Sequence, residues 1–391
     1  IVAADELYNE FSSGTPDANA YRRYMKMLYD RATPGDIPRY LLLFGDCLWD
    51  NRMLTSAAKG LAPDDYLLCY ESENSFNAIE CFVDDSFFAL LDDGEGGALQ
   101  TRDLPDIAVG RFPVSTANEA KIMVDKTLDY ATNANAGAWQ NTLMFMGDDG
   151  NNNLHMDDAN TAAEETAKQH PGFLVKKVMW DAYKRGRSAT GYTYPDVRKT
   201  IIGQQERGAL VMDYAGHGSE IQLSHETVLR LNDFASFTNK NLPLWITASC
   251  DIMPFDGTTP TIGETALLNE RGGAMAFYGT TRTVYAIYNK PMNMAYLKHV
   301  LDRPNDIANT LGEAARLART EMITKGLDLT SNKLQYALLG DPALRLNLPK
   351  PQIIIDSING KAVNATLPVI KAGGMARIAG HIEGIQHFKG I

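Results

Sequence analysis

The sequence predicts an α/β chain, with a largely parallel sheet carrying helices on both faces and the beginning of a β-sandwich after it. Three observations carry this. From residue 142 onward, short apolar runs alternate with helical stretches at a steady beat. Two of those runs, 208–214 and 242–248, stop abruptly in polar or glycine-rich loops, as buried parallel strands do at the carboxyl edge of a sheet. After Pro349-Lys350-Pro351 the pattern changes to two-residue alternation, interrupted by Asn359-Gly360 and Gly373-Gly374.

In chain order, the spacing of Tyr21, Met25 and Leu28 predicts a helix over 17–31, with Thr15 as cap and Pro16 at its first position. A buried strand follows at 39–44 and stops at Gly45-Asp46; further strand candidates lie at 67–70 and 107–109. Thr116 and Glu119 make a capping box for a helix to about residue 132. Strands are then predicted at 142–146, 174–180, 209–214, 243–248 and 273–278, with helices at 156–169, 194–207, 224–236 and 262–271 between them. Gly208 and Gly272 are helix stops. Helices at 290–301 and 308–324 flank the sheet, and 331–338 is read as a last short helix. Three units result: an N-terminal α/β subdomain over 1–132, a second over 133–349, and a truncated β domain over 350–391 with strands at 352–357, 365–370 and 375–382.

Composition narrows the function. The chain has 391 residues, 45% hydrophobic and 22% charged, the profile of a globular protein with sizeable cores. A formal net charge of −11 with no basic stripe argues against nucleic acid as a partner. No stretch of about 20 apolar residues exists to span a membrane as a helix. There is no charged-then-apolar leader at Ile1, and the expectation is that one has been removed. Four cysteines, Cys47, Cys69, Cys81 and Cys250, make neither a disulfide framework nor a zinc spacing, although Cys69 and Cys81 are close enough in sequence to pair.

The chemistry is predicted at the two abrupt strand ends. One leads into Ala215-Gly216-His217-Gly218, the other into Ser249-Cys250-Asp251, and His217 and Cys250 are 33 residues apart. Parallel neighbours would set them side by side outside the sheet edge, where open α/β sheets hold their ligands. A thiol with an imidazole in reach is an activated nucleophile. Either residue alone is unremarkable, one a turn histidine and the other a small buried hydrophobe; together they specify a site. The N–H groups of Gly218 and Cys250 would then serve as an oxyanion hole. Gly147-Asp148-Asp149-Gly150-Asn151-Asn152-Asn153 also follows a strand, so it either supplies a carboxylate that orients His217 or holds calcium. Asp46 and Asp50 are a second calcium candidate, and the other Asp-Asp doublets read as solvated loops or caps. His155, His225 and His299 fall in helical or capping contexts and read as surface or core residues.

These motifs together resemble the gingipain-type cysteine peptidases, which have a caspase-like fold of two subdomains. The resemblance rests on YAGHGSE at 214–220, WITASC at 245–250, GGAMAFYGTTRTVY at 272–285 and LLGDPALRL at 338–346, and runs from about residue 10 to 347. It implies Cys250 as nucleophile, His217 as general base and acid, Asp149 as third member, and an immunoglobulin-like domain over 350–391. Where arginine-cleaving members place a pocket aspartate this sequence has Asn152, and Tyr285 stands where they have a pocket tryptophan. The resemblance thus implies substrate contact at both positions without strict Arg or Lys specificity.

Within the family, EFSSGTPD at 10–17, LLLFGD at 41–46 and TTRTVY at 280–285 look like the sortase branch of the type IX secretion system. That branch implies removal of C-terminal secretion signals from cargo proteins at the outer-membrane surface of a Gram-negative bacterium. It also implies transfer of the cargo to an anionic lipopolysaccharide, with other secretion-system proteins as partners, no required cofactor, and calcium as a structural option. The rival expectations are a broad secreted endopeptidase and a non-catalytic surface scaffold of the same fold.

Overall fold

The computed structural model describes residues 1–74, 77, 79–189, 191–349, 352–363, 370 and 372–383. Eight strands build one central sheet: β1 (Tyr40–Phe44), β2 (Ala108–Phe112), β3 (Thr142–Gly147), β4 (Leu174–Met179), β5 (Val211–Ala215), β6 (Leu244–Ala248), β7 (Ala276–Thr280) and β8 (Tyr336–Leu339). Their order across the sheet is β1-β2-β8-β7-β6-β5-β3-β4. Strands β7, β6, β5, β3 and β4 are mutually parallel, as are β1, β2 and β8. The two sets meet antiparallel at β7–β8, so their carboxyl ends open on opposite edges.

Alternation along the strands makes two cores. Met144, Met146, Met212, Tyr214, Trp245 and Phe277 point to one face, where α3 (Ala117–Thr132), α5 (Pro195–Arg207), α6 (Leu231–Ser236) and α7 (Ile262–Leu268) supply Met123, Ile201, Phe234 and Ile262. Leu143, Phe145, Val211, Ile246 and Tyr278 point to the other. There α4 (Leu154–Gln169), α8 (Ala286–Leu301) and α9 (Leu311–Thr324) supply Ala163, Tyr296 and Ala318. Helices α1 (Ala4–Phe11) and α2 (Asn19–Arg31) cover the β1 end through Tyr8, Tyr21 and Met25. The capping box of Thr116 and Glu119 is present and starts α3.

Three expectations change. Residues 331–338 are a single 3-10 turn, Asn332–Gln335, followed by β8, because the Tyr-Ala-Leu-Leu run fills the gap between β2 and β7. The helix expected over 224–236 is confined to α6. The doublet Asp84-Asp85 is buried rather than solvated. Asp85 takes two bonds from the Arg111 guanidinium at 2.7 and 2.8 Å, and both Asp84 oxygens accept from Arg319 of α9 at 2.7 and 2.8 Å. Asp85→Ala would leave the fully buried Arg111 without its counter-charge, an expected loss of about 4 kcal/mol measurable by denaturant titration.

All four cysteines are free. Cys81 Sγ accepts from Arg282 Nε at 3.1 Å, and Cys69 donates to Glu71 at 3.4 Å. Beyond the sheet, strands Gln352–Ile358, Lys361–Ala362 and Ile378–Glu383 form a small antiparallel sheet. The strand expected at 365–370 lies outside the described residues except for residue 370. Among the described residues no helix is long and apolar enough to cross a membrane.

Candidate active site

Register decides where the site lies. Ala215 of β5 pairs with Gly147 of β3 on one side and Ala248 of β6 on the other. The loops after these three strands therefore leave the sheet abreast and bring Asp148, His217 and Cys250 to one edge. The loop after β7, residues 281–285, leaves from the same edge.

The loop after β3 turns back through three consecutive left-handed residues, Asn151, Asn152 and Asn153, at φ 52, 56 and 69°. Asparagine is among the few L-residues that adopt this region readily, which accounts for the triplet. The two carboxylates at the start of this loop have separate partners. Asp148, 1% exposed, accepts from His217 N at 2.7 Å, Gly150 N at 3.1 Å and His155 Nδ1 at 2.5 Å. The Tyr214 hydroxyl lies 3.0 Å from Asp148 Oδ2 and 2.7 Å from the His217 carbonyl oxygen, which share its one proton. Burial pushes the Asp148 carboxyl up, but the bond and charge of His155 and the two backbone N–H groups outweigh it and hold it below the usual carboxylate range.

Asp149, expected to orient His217, faces away. It accepts from the Tyr194 hydroxyl at 2.6 Å, with Arg185 at 3.9 Å. Asp148 is the carboxylate that reaches the histidine loop. Asp149→Asn keeps an acceptor for Tyr194, so labelling of Cys250 by a thiol-directed peptidyl probe is expected to stay within about twofold of wild type.

His217 is half-buried. Burial lowers its affinity for a proton; His225 and His155 lower it further, against the pull of Asp148. Two glycines admit the ring and its loop. A Cβ on Gly150 would stand 2.6 Å from His217 Cδ2, and one on Gly216 would stand 2.7 Å from Asp148 Oδ2. Gly218 presses on the cysteine loop, where a Cβ would collide with Ser249 Oγ and lie 3.3 Å from the Cys250 carbonyl oxygen. This contact joins the two loops. In the short ladder of Gly218–Ser219 with Gln222–Leu223, Ser224 N bonds the His217 carbonyl at 2.8 Å. Hydrogen-bonded pairs alternate in such a ladder, so the Gly218 N–H points away from the partner strand.

Cys250 is partly buried, its Sγ 3.4 Å from the Val284 N–H and 3.3 Å from the Val284 carbonyl. Burial pushes its thiol up, the Val284 N–H draws it down, and Asp251 adds to the rise. The loops interlock: Asp251 N donates to the Arg282 carbonyl at 3.2 Å, and Thr280 Oγ1 donates to the Ser249 carbonyl. Tyr285 projects outward at 57% exposed, anchored by its N–H to Asn332 Oδ1 at 2.7 Å, and Asn152 is exposed at the tip of its loop.

The imidazoles of His155 and His225 also lie against His217, which their sequence contexts did not suggest. The available signal was the position of His155, seven residues beyond Asp148 at the start of α4. His299 belongs elsewhere, bonded to Glu321 at 2.9 Å. The calcium readings meet competition from protein donors. Asp148 and Asp149 are engaged as above, and Asp50 accepts the N–H groups of Leu54 and Thr55 at 3.0 and 2.7 Å. Among the described residues no group of three or more His, Cys, Asp or Glu side chains is arranged to hold a metal ion.

Residues 1–347 match the family model described as Peptidase family C25. No curated protein sequence matches the chain. Among solved structures it resembles gingipain R, an Arg-specific cysteine proteinase, at 19% identity and TM-score 0.63 over 87% of this chain and 71% of that one. It resembles the complex of Porphyromonas gingivalis RgpB pro- and mature domains at 18% identity and TM-score 0.64, over 90% and 75%. Dimeric latent PorU from Porphyromonas gingivalis aligns at 25% identity and TM-score 0.49, over 92% of this chain and 29% of that one.

Proposed function

This chain belongs to peptidase family C25, a family of cysteine peptidases, and we propose that it is a sortase working through a Cys250 thioester. The observation that carries the reading is the contact of Gly218 with the Cys250 loop, which docks the histidine loop onto the cysteine loop at one sheet edge. The pair starts uncharged at neutral pH, since burial holds the thiol protonated and the imidazole free. As a peptide carbonyl arrives, His217 takes the thiol proton and Sγ attacks the carbonyl carbon. The oxygen, now negative, is met by the N–H groups of Gly218 and Cys250. His217 returns its proton to the leaving amine, and a thioester remains. Water or an amine then gives a proton to His217 and attacks the thioester carbonyl; the C–S bond breaks, the proton passes from His217 to Sγ, and the product is an acid or a new amide. No other group is needed as nucleophile or base.

The proposed substrate is an exported protein carrying a C-terminal secretion signal, and the proposed acceptor an amine on an anionic lipopolysaccharide at the cell surface, with other secretion proteins bringing the two together. Support comes from the motifs at 10–17, 41–46 and 280–285 and from the missing pocket charge at Asn152. Incubating signal-bearing cargo with the protein and an amine acceptor, then weighing the products, tests it. An amide of cargo and acceptor is expected. Cleavage of unrelated denatured proteins with no amide product would favour a broad endopeptidase, and no cleavage at all a scaffold. The rate should fall with acid only below the ordinary imidazole range, because His217 must be unprotonated and its proton affinity is lowered.

A further inference from the structure

Two imidazoles outside the paired loops enclose the His217 ring. His225 faces it, with centroids 4.1 Å apart and planes within 8°. His155 meets it edge-on at 4.8 Å and 82°. His155 is itself fixed, since Nδ1 bonds Asp148 Oδ1 at 2.5 Å and Nε2 faces the Asn151 side-chain nitrogen at 3.1 Å. A proton on Nδ1 lets the ring donate to Asp148, while its other nitrogen is held against the Asn151 side chain. Asp148 meanwhile bonds the backbone N–H of His217, which fixes the loop and leaves the ring free to turn.

Resting on the reading of His217 as general base, we infer that His225 is a positioning residue that presses the His217 ring against the anchored His155 and so sets its plane. A base acts only when its lone pair meets the thiol proton within a narrow cone. Torsion about the Cα–Cβ and Cβ–Cγ bonds would otherwise let the ring leave that cone. A flat neighbour on the face and a fixed edge leave one orientation. The charged and titratable groups that act on the ring are Asp148 from the β3 loop, His155 from α4 and His225 from the loop before α6. Proton binding by either histidine opposes proton binding by His217, and Asp148 favours it.

Substitution at residue 225 separates flatness from charge. The probe is a peptidyl acyloxymethyl ketone, and its rate of Cys250 labelling is followed against pH. His225→Ala is expected to lower the rate at pH 8 roughly tenfold, and His225→Phe, which restores a flat face, to recover most of that loss. In parallel, spectra of the whole chain with ¹⁵N-labelled histidine report the His217 titration. In His225→Phe its midpoint should move to higher pH, with the acid limb of labelling moving alongside, because a like charge has gone. Equal rates in wild type and both variants, equal losses in both, or an unmoved His217 midpoint would each overturn the inference. If wild-type Cys250 takes no label, the reading of the base fails, yet the midpoint in His225→Phe still decides whether the cluster is coupled. That measurement also stands if His225→Ala does not fold.

Discussion

Cys250→Ala is expected to abolish covalent labelling and cleavage, a loss of at least about a thousandfold, with the melting temperature within a few degrees of wild type. Loss and retention are both set by the position of the thiol. It sits beyond the last residue of β6, partly exposed, and its two hydrogen bonds are weak sulfur bonds with the Val284 N–H and carbonyl. Removing Sγ leaves these backbone groups at a site water can reach, at a cost of about 1 kcal/mol. No second thiol stands in: Cys47 and Cys81 are buried and Cys69 bonds Glu71 on other segments. Near-native cleavage by a folded Cys250→Ala protein would end the thioester mechanism.

Asp148→Asn should cost both stability and rate, in contrast to the same change one residue on. Both Asp148 oxygens accept from protein donors: two backbone N–H groups, the His155 ring and the Tyr214 hydroxyl. An amide turns one acceptor into a donor facing N–H or O–H groups inside a nearly closed site. About 3 kcal/mol of stability should be lost, read by denaturant titration. The rate should fall as the histidine loop and the His155 anchor loosen together. A pH signature accompanies this. The folded-state affinity of Asp148 for a proton is depressed, so its stabilisation is present above the ordinary carboxylate range and lost as pH falls through the lower folded value. The asparagine variant should lack that part of the acid-side dependence. Unchanged stability and rate would remove Asp148 from the account.

The strand ends were legible because each apolar run is cut off by glycine or a polar residue, and a parallel ladder leaves little choice about where such ends meet. The placement of the His217 and Cys250 loops at one sheet edge followed from that pattern and from the family motifs. The choice between Asp148 and Asp149 did not. Adjacent identical residues carry no sequence signal of direction, and only their different partners, the histidine loop for Asp148 and Tyr194 for Asp149, tell them apart. His155 and His225 were hidden by their local contexts, since nothing in a helix start or a turn says which ring stands opposite. β8 was misread because Tyr-Ala-Leu-Leu suits a helix as well as a strand, and its state is decided by two neighbours far away in sequence.

That strand has a kinetic consequence. Among the described residues β8 alone joins the β1–β2 pair to the rest of the sheet, and it comes from residues 336–339 while its partners come from 108–112 and 276–280. Until it is in place, β2 and β7 both present open edges, and the ordering cost of a very long loop must be met before the halves gain from meeting. The five parallel strands that carry the histidine and cysteine loops can assemble without it. Folding should therefore run in two stages, with a slow locking step set by a four-residue insertion. An emerging chain would stay open, and prone to pairing with a second copy through β2 or β7, until residues 336–339 have arrived.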